Sequence, residues 1–130
     1  MNETIKRLGD GELDIMLAVW RAGEPVNSAW VQEALRGKRD WTLPALLTAL
    51  SRLVEKGFLA CEKQGRSNRY RPLISKEAYQ AREGKTVLDR LYGGSFTALT
   101  ASLYDGGAVT AEDLEDLRRF LAEQEAKLHE

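Results

Sequence analysis

From Lys63 to Arg71 the chain reads Lys-Gln-Gly-Arg-Ser-Asn-Arg-Tyr-Arg. Lys63, Arg66 and Arg69 bring positive charge, and Ser67 and Asn68 bring small hydrogen-bond donors. Residues of these types neutralise and hydrogen-bond the oxygens of a phosphate backbone. Upstream, Thr42, Ala45, Thr48 and Arg52 recur at helical spacing, with Lys56 just beyond them. Hydroxyl, methyl and guanidinium groups on one side of a helix suit the floor of a nucleic-acid groove. Ala45 can meet a thymine methyl, and Thr48 and Arg52 can meet polar base edges. Arg52 can equally hold a phosphate or a carboxylate of its own chain, and Lys56 is placed to neutralise phosphate. The free N–H groups of a helix opening at Thr42 add an anion site.

Other chemistries lack their parts. Cys61 is the only cysteine and His129 the only histidine. A His/Cys metal site, a Ser/His/Asp set, a glycine-rich phosphate loop and an HExxH motif are all missing. We therefore expect no catalysis, metal or cofactor. Thr110 with Glu112 and Asp113 reads as a helix start, not as a pair of catalytic carboxylates. An intramolecular disulfide is impossible, which suits a reducing, cytoplasmic setting. The stretch Met1 to Leu8 lacks the apolar segment of a signal peptide, and no run approaches the ~20 apolar residues that would insert in a membrane. Cys61, on an alternating strand, is expected to be a small buried hydrophobe.

The 130 residues are 43% hydrophobic and 30% charged, with a net charge of −1. That charge is unevenly spread. Residues 1–82 hold 14 Lys and Arg against 10 Asp and Glu, whereas residues 83–130 hold 5 against 10. Residues 36–71 alone carry nine basic side chains against Asp40, Glu55 and Glu62. One region is suited to a polyanion and the other is not.

The elements that would position these residues follow from periodicity and caps. Asp10 can cap a helix to Ala22 with Leu13, Met16, Leu17 and Trp20 on one face, ended by Gly23. Asn27 or Ser28 can cap a second helix to Arg36 with Trp30, Val31, Ala34 and Leu35 as its apolar set. Trp20 and Trp30 are thus expected in the core. Thr42 caps a third helix with Pro44 in its first turn. Its buried side is expected to hold Leu43, Leu46, Leu47, Leu50, Leu53 and Val54, with Thr42, Ala45, Thr48, Ala49 and Arg52 opposite. Phe58–Gln64 and Arg69–Leu73 read as a β-hairpin around a basic turn at residues 65–68. Ser75, Ser95 and Thr110 then open three further helices.

The expected fold is mainly α with a small β-hairpin. Residues 1–74 form an N-terminal winged helix-turn-helix, and residues 75–130 a C-terminal three-helix dimerisation region. In a winged helix the third helix enters the major groove and the hairpin lies along the phosphates. The C-terminal region is too short to enclose its own core. It nevertheless offers Leu88, Leu91, Tyr92, Phe96, Leu99, Leu103, Leu114, Leu117, Phe120 and Leu121. These can pack on the first domain or on the same residues of a second chain. We favour the second chain, which supplies two heads for two half-sites.

Several segments together resemble one family, the penicillinase-repressor family of winged-helix regulators, which includes copper-responsive repressors. They are Leu8-Gly-Asp-Gly-Glu-Leu-Asp-Ile-Met-Leu-Ala-Val-Trp20, Trp41-Thr42, Leu50-Ser-Arg-Leu-Val-Glu-Lys-Gly57, Glu62-Lys-Gln-Gly-Arg66, Tyr70-Arg-Pro72 and Leu88-Asp-Arg-Leu-Tyr-Gly-Gly94. The resemblance implies a homodimer joined through C-terminal helices, a dyad-symmetric double-stranded DNA operator and repression. In its beta-lactam branch it also implies a membrane sensor-protease system that leads to repressor cleavage. Two departures stand out. Pro44-Ala45 replaces that branch's Lys-Thr pair, and Ser102-Leu103 stands where the branch is cut at Asn-Phe. The copper branch's cysteine-rich motif is missing.

Two functional readings remain open at this point. One is a homodimeric DNA-binding repressor. The other is a winged-helix module that binds protein without sequence-specific DNA binding, a reading favoured by apolar Leu43-Pro44-Ala45.

Overall fold

The computed structural model describes residues 5–129. Residues 1–4, on which part of the leader reading rests, lie outside that range. The helices are α1 (Asp10–Ala22), α2 (Ser28–Ala34), α3 (Leu43–Glu55), α4 (Lys76–Tyr92), α5 (Phe96–Asp105) and α6 (Ala111–Leu128). Strands β1 (Leu59–Gln64) and β2 (Ser67–Pro72) lie between α3 and α4. The chain divides into two compact units, one ending at Glu83 and one starting at Gly84, the division falling inside the sequence range of α4. Among the described residues, no helix is long and apolar enough to cross a membrane.

Helix starts follow local chemistry. The carboxylate of Glu12 accepts the N–H of Gly9 at 3.1 Å, so α1 is capped from Gly9, with Asp10 already in its first turn. Asn27 Oδ1 accepts the Trp30 N–H at 2.8 Å and opens α2. Thr42 Oγ1 accepts the Ala45 N–H at 3.3 Å and opens α3, where Pro44 in the first turn leaves no lost donor.

In the first unit α1, α2, α3 and the hairpin enclose one core. Ile15, Met16, Val19, Val31, Leu46, Leu50, Leu53, Phe58 and Leu59 are essentially inaccessible. The strands pair antiparallel, Leu59 with Pro72 through Gln64 with Ser67. Val26, in the α1–α2 connector, bridges to Tyr70 as a minimal third strand. Tyr79, on α4, closes the core from the far side. Its hydroxyl accepts the Leu8 N–H at 3.0 Å, and its ring lies 5.7 Å from Phe58 and 6.0 Å from Trp20. Trp20 Nε1 donates to the Ile74 carbonyl at 2.9 Å. These contacts tie the start of α4 to the first unit, which runs to Glu83.

Several expectations need correction. Helix α1 buries Ile15, Met16, Ala18 and Val19; Leu13 and Trp20 are half-buried but pack against the core as expected, and Leu17 is half-buried. Leu43 and Leu47 stand out from the surface at 44% and 39% exposure, Trp30 is 39% exposed, and Ala49 is buried. Cys61 is exposed, because it lies beyond the part of β1 that the helices cover.

In the second unit, Gly93 and Gly94 take positive φ values of 56° and 82°, which a residue with a Cβ rarely adopts, and they end α4. Ser95 caps α5. Thr110 and Asp113 form a reciprocal capping box on α6. Neither α5 nor α6 has a buried residue.

Candidate nucleic-acid interface

Helix α3 buries Leu46, Ala49, Leu50 and Leu53 against the core. At 3.6 residues per turn the opposite direction is occupied by Pro44, Thr48, Ser51 and Glu55. Leu43 and Leu47 flank that row on one side, Ala45 and Arg52 on the other, and all eight residues are exposed. Thr48 donates its hydroxyl proton to the Pro44 carbonyl at 3.0 Å. Of the helix residues expected at a base edge, Ala45, Thr48 and Arg52 share this outward surface. Ser51 belongs with them and was missed, although its position three residues after Thr48 is the signal that could have found it.

The Ala45–Arg52 side of α3 overlooks a recess of ≈ 420 Å³, whose far wall is Gly9, Gly11, Glu12 and Trp41. A Cβ on Gly11 would approach the Trp41 ring to 3.2 Å, so the glycine lets the indole seat against α1. Trp41 is fixed further by the Gln32 amide, which donates to its carbonyl at 2.9 Å.

The hairpin turn is Gly65-Arg66. Gly65, at φ 65°, puts the positive angle at the first central position, the requirement a two-residue II′ turn meets with glycine. Arg66 is therefore the tip. Ser67 and Asn68 belong to β2, paired with Gln64 and Lys63, and do not lie in the turn as expected. Burial pushes the Tyr70 hydroxyl above its ordinary range, and contact with Cys61 adds to this.

Ion pairs sort the nine basic residues of segment 36–71. Arg36 pairs with Glu33, Lys38 and Arg39 with Asp14, and Arg71 with Glu62. Lys56 Nζ lies 2.6 Å from Glu12 Oε1, a half-buried pair tying the end of α3 to the start of α1. Arg52, Lys63, Arg66 and Arg69 make no ion pair among the described residues, and all four lie on α3 or the hairpin. The field of Arg52 reaches Glu12 without bonding it. Arg69 Nε is shielded from solvent without a partner and borders a ≈ 490 Å³ recess shared with Pro25, Asn27 and Trp30.

The Glu12–Lys56 pair has a measurable signature. Burial raises the Glu12 carboxyl, but the Lys56 and Gly9 hydrogen bonds and the Lys56 and Arg52 charges outweigh it, leaving the pKa below its ordinary 4.5. A lowered folded-state pKa gives stability that is present above the unfolded value and is lost as pH falls through the folded one. Glu12→Gln should destabilise the fold by about 1.5–3 kcal/mol at neutral pH, the range for a charge-assisted bond. In urea unfolding, the gap between variant and wild type should close as pH drops below about 4. A gap that persists at low pH would show that the pair is not its source.

Three helices followed by a hairpin, with the third helix exposed and unpaired cations on the hairpin, define the winged helix-turn-helix class. The chain belongs to the penicillinase repressor family, which matches residues 8–123. It is 26% identical over 126 residues to the penicillinase repressor of Bacillus licheniformis, covering 97% of this chain and 98% of that one. It is 30% identical over 133 residues to the transcriptional regulator BlaI of Mycobacterium tuberculosis, covering 94% and 88%. The solved DNA-binding domain of the repressor BlaI superposes with a TM-score of 0.51 at 32% identity, covering 58% of this chain and 90% of that domain. Family members are regulatory DNA-binding proteins, not enzymes.

Proposed function

We propose that this protein is a cytoplasmic, homodimeric repressor whose two heads occupy the half-sites of a dyad-symmetric DNA operator. The observation that carries this reading is the sorting of charge. Five basic residues of segment 36–71 are tied to carboxylates, and the four without ion pairs all sit on the third helix and the hairpin. In this reading α3 enters the major groove with Ala45, Thr48, Ser51 and Arg52 toward the bases. Thr42, Lys63, Arg66, Ser67, Asn68 and Arg69 hold the backbone. Lys56 serves the fold through Glu12 and contributes little to DNA.

Residues 1–83 act as the DNA-binding head in this reading, and residues 84–130 join two chains. Leu88, Tyr92, Leu99, Leu114 and Leu117 are half-buried, and Leu91, Phe96, Leu103, Phe120 and Leu121 are exposed. A unit with this much uncovered apolar surface is supported by a second copy of itself. A membrane sensor-protease pathway, as the family resemblance implies, would act on this joining region.

The test is a gel shift with DNA from upstream of the protein's own gene, against an excess of unrelated duplex. A retained shift that depends on that sequence is expected. If own and unrelated DNA compete equally, sequence-specific repression fails, and the exposed Leu43 and Leu47 point instead to a protein partner.

A further inference from the structure

The first two turns of α3 hold no side chain able to make a two-pronged contact with a purine. Residues 43–51 read Leu-Pro-Ala-Leu-Leu-Thr-Ala-Leu-Ser, without Arg, Lys, Asn or Gln. The outward groups there are the Pro44 ring, the Ala45 methyl, the Leu47 side chain, Thr48 and, at the end of the stretch, the Ser51 hydroxyl. Ser51 and Thr48 carry the side-chain hydroxyls of this stretch, and the proton of Thr48 is committed to the Pro44 carbonyl at 3.0 Å. Thr48 therefore presents a methyl group and an oxygen lone pair. Arg52 is the first strong donor along the helix, one turn later and on the flank toward Glu12. Leu47 and Leu43 are exposed although both would be more stable covered.

The major groove has one apolar feature, the 5-methyl group of thymine. Building on the DNA-binding reading above, we propose that this chain recognises its half-site chiefly through thymine methyl groups. Pro44, Ala45, Leu47 and the Thr48 methyl pack on them. Thr48 Oγ1 accepts a hydrogen bond from an adjacent exocyclic amine of adenine or cytosine. Charge complementarity selects DNA as the occupant of this apolar surface, because the unpaired cations Arg52, Lys63, Arg66 and Arg69 lie on the same helix and on the hairpin that follows it. A purely apolar protein partner would leave those charges without a counterpart.

Deoxyuridine differs from thymidine only in lacking the methyl, so it removes the contact and leaves charge and base pairing intact. The experiment uses the full chain and a duplex that the protein itself selects from a random-sequence pool. Thymines of each half-site are replaced singly by deoxyuridine. Each contacted thymine should lower affinity about fourfold, the burial of one methyl-sized group, with the salt dependence unchanged. Leu47→Ala, an exposed position whose truncation spares the core, should weaken binding to the thymine duplex. It should leave binding to the uridine duplex at the wild-type level. If the selected duplex remains preferred over unrelated DNA while every uridine substitution is silent, the methyl-reading proposal falls and the DNA-binding reading stands. If the pool yields no preferred duplex, both fall together.

Discussion

Raising monovalent salt from about 50 to about 200 mM is expected to weaken DNA binding by about three orders of magnitude. Each head places three cations without ion pairs on the phosphate backbone, Lys63, Arg66 and Arg69, so a two-headed complex places six. At about −0.9 per neutralised phosphate, the slope of log affinity against log salt should be about −5. Arg66→Ala removes the hairpin tip from both heads and should shrink the slope by about two. Operator and unrelated DNA should weaken alike, since phosphate contacts carry no sequence information. The paired cations supply the control. Arg71 and Glu62 lie 2.9 Å apart on neighbouring strands, and replacing both by Gln should change the slope by less than about one. A slope unmoved by Arg66→Ala would take the hairpin tip out of the interface.

The distinction between paired and unpaired cations shows where sequence reading succeeds and where it stops. Caps at Asn27, Thr42, Ser95 and Thr110 were legible because each is a contact over three residues, set by local chemistry. The hairpin was legible from strand-forming runs around glycine. The facing of α3 was legible only in part: Leu46, Leu50 and Leu53 are buried and Ala45, Thr48 and Arg52 exposed as expected. Its apolar residues span more of the circumference than its neighbours cover, and which of them are buried depends on where α1, α2 and the hairpin lie. Leu43 and Leu47 therefore went to the wrong side, and so did Ala49. Cys61 was misread for a related reason, since β1 outruns the helices that would cover it. The Lys56–Glu12 pair joins residues 44 positions apart, and no local pattern announces it. Tyr79 looked like the start of the joining region because it follows the hairpin. Its hydroxyl, held by the Leu8 N–H, shows that the first core needs it.

The placement of Tyr79 changes how the joining region should be tested. A chain ending at residue 73 would lose Tyr79 and the Ile74 carbonyl that holds Trp20, and truncating a buried aromatic destabilises by about 3–5 kcal/mol. A chain ending at Glu83 keeps the whole first unit. That longer fragment should be folded and monomeric by sedimentation at micromolar concentration, whereas the full chain should sediment as a dimer. Joining two heads makes the second contact intramolecular, so the fragment's affinity for a two-half-site operator should be lower by about 10² to 10⁴. Its affinity for a single half-site should match that of one head of the full chain. The same loss sets the ceiling for release by proteolysis. Ser102 and Leu103 lie inside α5, and their carbonyls accept the Gly106 and Ala108 N–H groups at 3.0 and 2.9 Å. A protease must open that turn before it can cut there, so cleavage should be slow in the intact dimer. It should be faster in any variant that loosens the turn, such as Tyr92→Phe, which removes the hydroxyl facing Ser102 Oγ at 3.3 Å. A full chain that sediments as a monomer, or a fragment ending at Glu83 that binds the two-half-site operator as tightly as the full chain, would remove avidity, and with it cleavage of the joining region, as the basis of control.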